Sequence, residues 1–226
     1  MWGDTEIDTG YAARIPVYHD DDQSDVAKSV RFLPAITALA RKKIVKLYSS
    51  SELRDETWTQ PSGRYQGYEI YDYSLFSGVE IETVKDRNYF MMMGPSSMGF
   101  PSLVDQRKSR MSISQNVDPI FLGLVDALGE KSSQDCYHIA FAEKNNTYCF
   151  LTMDFKLIRN LNSRRKHPVV ANLKTKILSP YEFGTRFQLT PFSTRLFSHH
   201  KASFPVAWWE NWPKSGRKPR KRRRTK

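Results

Sequence analysis

The chain has 226 residues with 35 Lys or Arg against 24 Asp or Glu, a net charge of +11, which is enough length for one good core with extensions. No run of 18 or more apolar residues occurs, so a membrane span is not expected. Met1-Trp2-Gly3-Asp4 lacks the basic-then-apolar pattern of a signal peptide, and the two cysteines, Cys136 and Cys149, sit in apolar stretches. They are expected as buried thiols of a reducing compartment, which places the protein in the cytoplasm.

In chain order, a short strand is expected to end at Ile7-Asp8-Thr9-Gly10, followed by a turn and a polar loop at His19-Asp20-Asp21-Asp22. Ser24 suits a helix cap, with Val26, Val30, Leu33, Ile36 and Ala40 on or beside one face of a helix reaching about Lys43. Pro34 should kink or split it. The β-branched and aromatic run Ile44-Val45-Lys46-Leu47-Tyr48 reads as a strand, and Ser51 can cap the next helix, which carries Glu52, Leu53 and Glu56. Residues 61–101 form a tyrosine-rich insert. Within it Val79 to Val84 alternates strictly, suggesting a hairpin or meander, and a Gly, Pro and Ser-containing loop follows.

Two helices should come next. The second is delimited by Asp118 as cap, Pro119 in the first turn and Gly129 as stop. Asp135 opens another helix, Tyr148-Cys149-Phe150-Leu151-Thr152 reads as a strand, and Asp154 caps a helix with Phe155, Ile158 and Leu161 inward. Thr175-Lys176-Ile177-Leu178 is the last core strand, and Ser179-Pro180-Tyr181-Glu182 is a capping box with proline at the first helical position. Short strands alternating with helices favour a layered α/β fold with a largely parallel sheet. From about residue 185 the pattern frays, and Trp208, Trp209 and Trp212 cluster before a basic end. Residues 214–226 hold nine Lys or Arg and no acid, leaving 26 bases against 24 acids elsewhere. Such a tail stays disordered by self-repulsion and attracts polyanions, so Arg217, Lys218, Arg220, Lys221, Arg222, Arg223 and Arg224 are candidate nucleic-acid contacts.

Parallel sheets bind ligands beyond the carboxyl ends of their strands. Asp8, Glu56 and Asp154 are expected near that edge, and Asp135 can point into the same space. Two carboxylates about 4 Å apart repel by on the order of 4 kcal/mol at an effective dielectric of about 20. A hard divalent cation removes that cost, and oxygen-only ligands suit magnesium or manganese. Each acid also has a plainer role: Asp135 and Asp154 as helix caps, Asp8 as a turn residue, and Glu56, Glu52 or Asp55 as solvated charges. His138 suits packing better than catalysis, and His19 with its three aspartates suits a charged loop better than a metal site.

Asp135-x-x-His138 opening a helix, Leu151-Thr152-Met153-Asp154 after a strand, and Ile177-Leu178-Ser179-Pro180-Tyr181-Glu182-Phe183 together resemble the C-terminal half of a PIN domain. This is a family of metal-dependent nucleases that includes toxin ribonucleases of bacterial toxin–antitoxin pairs. Ile7-Asp8-Thr9-Gly10 is similar to the family's Asp-Thr-Asn motif, and Tyr48-Ser49-Ser50 followed by Glu56 matches its second acid. The resemblance covers roughly residues 1–60 and 105–184. It implies a three-layer α/β/α fold with a five-stranded, mostly parallel sheet over residues 1–184, followed by an aromatic extension at 185–213 and the tail. It further implies Mg²⁺ or Mn²⁺ held by Asp8, Glu56, Asp135 and Asp154, and hydrolysis of RNA phosphodiesters. The partners it implies are RNA and, for a toxin, an antitoxin protein and a second copy of the chain. Gly10 stands where the family has asparagine, which removes a polar side chain near the metal. A second reading is therefore a PIN-fold RNA-binding or adaptor protein with little or no turnover. A third makes the basic tail an address for an acidic partner.

Overall fold

The computed structural model describes residues 12–14, 17–53, 70–71, 73–84, 99, 105, 118–197 and 203–205. Ser24 does cap a helix, its hydroxyl accepting from the Ala27 amide at 3.3 Å, and α1 runs over Asp25–Val30. The expected interruption is a split: α2 spans Leu33–Arg41 with Pro34 in its first turn, because proline has no N–H to offer the preceding turn. Val30, Leu33, Ile36 and Ala40 are buried as expected, whereas Val26 is only half-buried and Ala27 takes the inner position of α1 in its place. Lys43 then adopts φ 59°, and the Ile44 amide reaches back to the Leu39 carbonyl at 3.0 Å. This closing turn occupies the start of the expected strand, so β2 forms later, over Leu47–Ser50. Ser50 takes the capping role expected of Ser51, its Oγ accepting from the Leu53 amide at 3.1 Å.

The alternating segment is a strand, β3 at Ile81–Val84, but the partner it has among the described residues is not a hairpin neighbour. It pairs parallel to β2, Leu47 opposite Ile81 through Ser50 opposite Val84. Parallel neighbours require a crossover connection, which residues 51–80 supply, including a 3₁₀ turn at Tyr73–Phe76 and Gly78 at φ 70°.

Helix α3, Pro119–Leu128, has the expected signals at both ends. Asp118 Oδ1 accepts from the amides of Ile120 and Phe121 at 3.0 and 3.2 Å, and Gly129 leaves the helix at φ 89°. Helix α4, Ser133–Lys144, leads into β4, Cys149–Leu151. Asp154 caps α5, Phe155–Ser163, and the chain returns through α6, Pro168–Ala171, to β5, Lys176–Leu178, which pairs parallel to β4. The capping box forms in full at the start of α7, Pro180–Arg186: Ser179 Oγ accepts from the Glu182 amide at 3.1 Å, and Glu182 Oε2 accepts from the Ser179 amide at 2.8 Å. The short strands β1, Ala12–Arg14, and β6, Ser203–Pro205, pair antiparallel.

The core has two parts. Phe121, Leu124, Cys136, Ile139, Leu157 and Leu161 join α3, α4 and α5 against Phe150 and Ile177 of β4 and β5. Phe32, Ile36 and Phe183 join α2 and α7 against Leu151 and Leu178, and a Cβ at Gly184 would lie 2.0 Å from the Phe32 ring. The β4–β5 pair is thus covered by helices on both faces. Residues beyond α7 are tied back to the body, with Thr194 Oγ1 accepting from the Tyr18 amide at 3.0 Å and donating to the Tyr18 carbonyl at 2.9 Å. The chain is mixed α/β, as expected, with its parallel pairing seen as two two-stranded pieces among the described residues. No helix among them is long and apolar enough to cross a membrane.

Candidate functional site

Two of the four expected acids lie within the described residues. Asp154 stands three residues past the end of β4. Its Oδ1 accepts from the Leu157 amide at 2.9 Å, and its own amide donates to Thr152 Oγ1 at 3.0 Å. The carboxylate is exposed, and its second oxygen takes no hydrogen bond from the described residues, so capping uses only half of it. Asp135 lies in the first turn of α4, half-buried. Burial, assisted by the Asp135 charge, pushes the neighbouring Cys136 thiol up to about 12. Asp8, Glu56 and the tail cations Arg217 to Arg224 lie outside the described residues.

The structure brings a further acid to this place. Glu52, two residues beyond β2, is only 2 % exposed, and its Oε1 accepts from Gln134 Nε2 at 3.1 Å. The same Gln134 nitrogen lies 3.2 Å from His138 Nε2. His138 is buried and stacks on Phe150 of β4 at 6.2 Å and 17°, consistent with a packing role.

Gln134 fixes the relative sense of the two parallel pairs. It belongs to the N-terminal turn of α4, and α4 runs back along β4, so this turn lies towards the C-terminal end of β4. Glu52 follows the C-terminal end of β2 and meets the same turn. The C-terminal ends of β2 and β4 therefore share one edge, with Glu52, Asp135 and Asp154 distributed along it. This is the edge where parallel sheets place their ligands.

Between β2 and β4 lies a cavity of about 530 Å³. Leu47 and Ser50 border it on one side, Cys149 and Leu151 on the other, with Phe141 of α4 and Phe183 of α7 also in its wall. Among the described residues, β2 is paired only with β3 and β4 only with β5. The cavity thus separates two strand edges that no described residue pairs with.

Glu52, Asp135 and Asp154 offer only oxygen donors, the chemistry that hard divalent cations select. Gln134 Oε1 is buried and has no hydrogen-bond partner among the described residues. A buried carbonyl oxygen of this kind is ordinarily met by a partner such as an ordered water. The described residues bring no three His, Cys, Asp or Glu side chains close enough to hold an ion by themselves, so the donor set fits in kind and needs further ligands to be complete.

No family model, curated protein or solved structure matches this chain. The reading of the site accordingly rests on its geometry.

The remaining candidates have structural roles. Asp22 Oδ1 accepts from the Ser24 amide at 2.8 Å, and Arg31 donates to the carbonyls of His19 and Asp22 at 2.7 and 2.9 Å. Hydrogen bonds from the Ser24 amide and hydroxyl hold the Asp22 carboxyl below its ordinary range against the effect of burial, and the Arg31 charge adds to this. The His19–Asp22 segment is thus a braced charged loop. Both cysteines are free thiols, and burial pushes Cys149 up to about 11. The three C-terminal tryptophans lie outside the described residues.

Glu52 was legible as a carboxylate just after a strand. Its partner was not, because Gln134 lies 82 positions away.

Proposed function

We propose that the protein is a metal-dependent endoribonuclease of the PIN type. One observation supports this most: the acids Asp135 and Asp154, expected from sequence to serve one site, stand in the first turn of α4 and at the cap of α5, the helices that precede and follow β4. Asp154 is held by its cap while keeping an oxygen exposed, and buried Glu52 adds a third carboxylate to the same edge. In this reading the two parallel pairs are parts of one five-stranded sheet.

Asp8, Glu56, Asp135 and Asp154 would hold Mg²⁺ or Mn²⁺, with Glu52 beside them. When bound, such an ion neutralises the carboxylates and stabilises the charge that develops during phosphodiester hydrolysis. The protein's own part is positioning. Leu157 N–H orients the Asp154 carboxylate, and Gln134 orients Glu52 while offering its carbonyl oxygen as an acceptor. The Phe150 ring and the apolar core behind it keep water from the inner side of the site. RNA is the substrate in this reading, the basic tail adds affinity without base choice, and the protein is cytoplasmic. An antitoxin and a second copy of the chain are its candidate protein partners.

The test is cleavage of structured and single-stranded RNA with Mg²⁺, with Mn²⁺ and with chelator, for the wild type and for Asp135→Asn. Cleavage that requires the metal and drops by about 10²-fold or more in the variant, the scale of losing one group that stabilises developing charge, agrees with the proposal. Metal-independent cleavage, or an active Asp135→Asn protein, removes it. RNA binding without any turnover favours the adaptor reading that Gly10 leaves open.

A further inference from the structure

Between Asp154 and Glu182 the chain contains no acid and seven Lys or Arg. The rest of residues 1–213 then holds 19 bases against 24 acids, so the positive charge of the body is concentrated in this stretch. The fold makes much of it one surface. Helix α5 turns Leu157, Ile158 and Leu161 into the core, which leaves Lys156 and Arg159 on its outer side. Arg164, Arg165 and Lys166 follow in the exposed turn at its far end. The helix is about 13 Å long at 1.5 Å per residue, so the cations form a strip that begins two residues from Asp154. Arg159 meets Asp25 loosely at 3.7 Å with both side chains exposed. Lys156, Arg164, Arg165 and Lys166 form no ion pair among the described residues, and Arg165 is steadied by its Nε donating to the Asn162 carbonyl at 3.1 Å.

We propose that this strip on α5 and the turn after it is the phosphate-binding track that carries a single RNA strand to the acidic edge. This rests on the nuclease reading of that edge. A cluster of carboxylates repels a polyanion, and the acidic remainder of the body repels it further, so a strand approaches only where fixed cations offset that field. The strip stands beside the acids on the same helix that Asp154 caps. A row of separated, solvent-facing cations suits a chain of phosphates, because phosphate contacts fix register without reading bases.

The test uses the full chain and a fluorescein-labelled single-stranded RNA, with anisotropy read over a KCl series in chelator. It compares the wild type, the quadruple variant Lys156→Gln, Arg164→Gln, Arg165→Gln, Lys166→Gln, and a tail variant with Arg220, Lys221, Arg222, Arg223 and Arg224 changed to Gln. The quadruple variant is expected to bind about tenfold more weakly or worse at low salt. The slope of log K against log salt should become shallower by about 0.7 for each phosphate that the strip ceases to neutralise, with near-ultraviolet circular dichroism unchanged because the four side chains are exposed. The tail variant should retain the part of the slope that the quadruple variant gives up. Unchanged affinity and slope in the quadruple variant, or a wild type that binds heparin but not RNA, overturns the proposal. If the wild type binds as expected but never cleaves, the track stands and the nuclease reading fails. If it cleaves while the quadruple variant binds like the wild type, the track fails and the nuclease reading stands.

Discussion

Asp154 has two separable roles in this reading, and two substitutions divide them. Its Oδ1 caps α5 through the Leu157 amide at 2.9 Å, and the inner face of that helix, Leu157, Ile158 and Leu161, is part of the core. Alanine removes the cap, which costs about 1 kcal/mol. For a chain of this size that lowers the thermal midpoint by about 2–4 °C. Asparagine retains a side-chain oxygen that accepts the same hydrogen bond, and it is about as good a cap as aspartate, so Asp154→Asn should melt close to the wild type. Both variants lose the exposed carboxylate oxygen, so both should lose metal-dependent RNA cleavage. Calorimetry and a cleavage time course on the three proteins decide the matter. An Asp154→Asn protein with normal activity removes Asp154 from the site. An Asp154→Ala protein as stable as Asp154→Asn shows that the cap contributes nothing to α5.

Burial pushes Glu143 up, but the amides of Thr175 and Lys174 outweigh it, so this carboxylate sits below its ordinary range. A depressed folded-state value means its contribution is present above the unfolded value and is lost as the pH falls; Glu143→Gln should cost about 1 kcal/mol near neutrality after solvent screening and show a flatter acid limb in urea midpoints. Burial, with the Asp22 charge, pushes Tyr18 up to about 12 from 10.0. A raised value gives stability that is complete below the unfolded value and is lost as the pH climbs through the folded one. Denaturant midpoints should therefore fall between about pH 10 and pH 12, and Tyr18→Phe should remove its share of that fall. Cys136 and Cys149, pushed up to about 12 and about 11, should resist a thiol reagent at pH about 8 in the native protein, because the thiolate is the reactive form, and both should react once urea unfolds the chain; rapid native labelling of either would contradict the burial seen here.

Much of the secondary structure was legible in the chain itself, for a physical reason. The signals at Asp118, Asp154 and Ser179 work through hydrogen bonds spanning two or three residues, so the groups that start a helix sit beside the helix they start. Pro34 splits α1 from α2 by an equally local effect. The amphipathic face of α5 and the apolar surroundings of the two cysteines also appear as simple spacing, and the structure agrees with both.

Pairings between distant residues were decided by tertiary structure. The alternating segment at Ile81–Val84 announced a strand but not its partner. Leu47 and Ile81 are 34 positions apart, and alternation is the same whether the neighbour runs parallel or antiparallel. The start of β2 moved because a helix-closing turn at Lys43 and Ile44 took the first residues of the apolar run. Glu52 meets Gln134 of α4 across 82 positions, and the lysines and arginines of α5 face outward because the core claims the helix's other face. Local hydrogen bonding therefore determined where elements begin, whereas long-range packing determined which carboxylates share an edge and where the cations stand beside them.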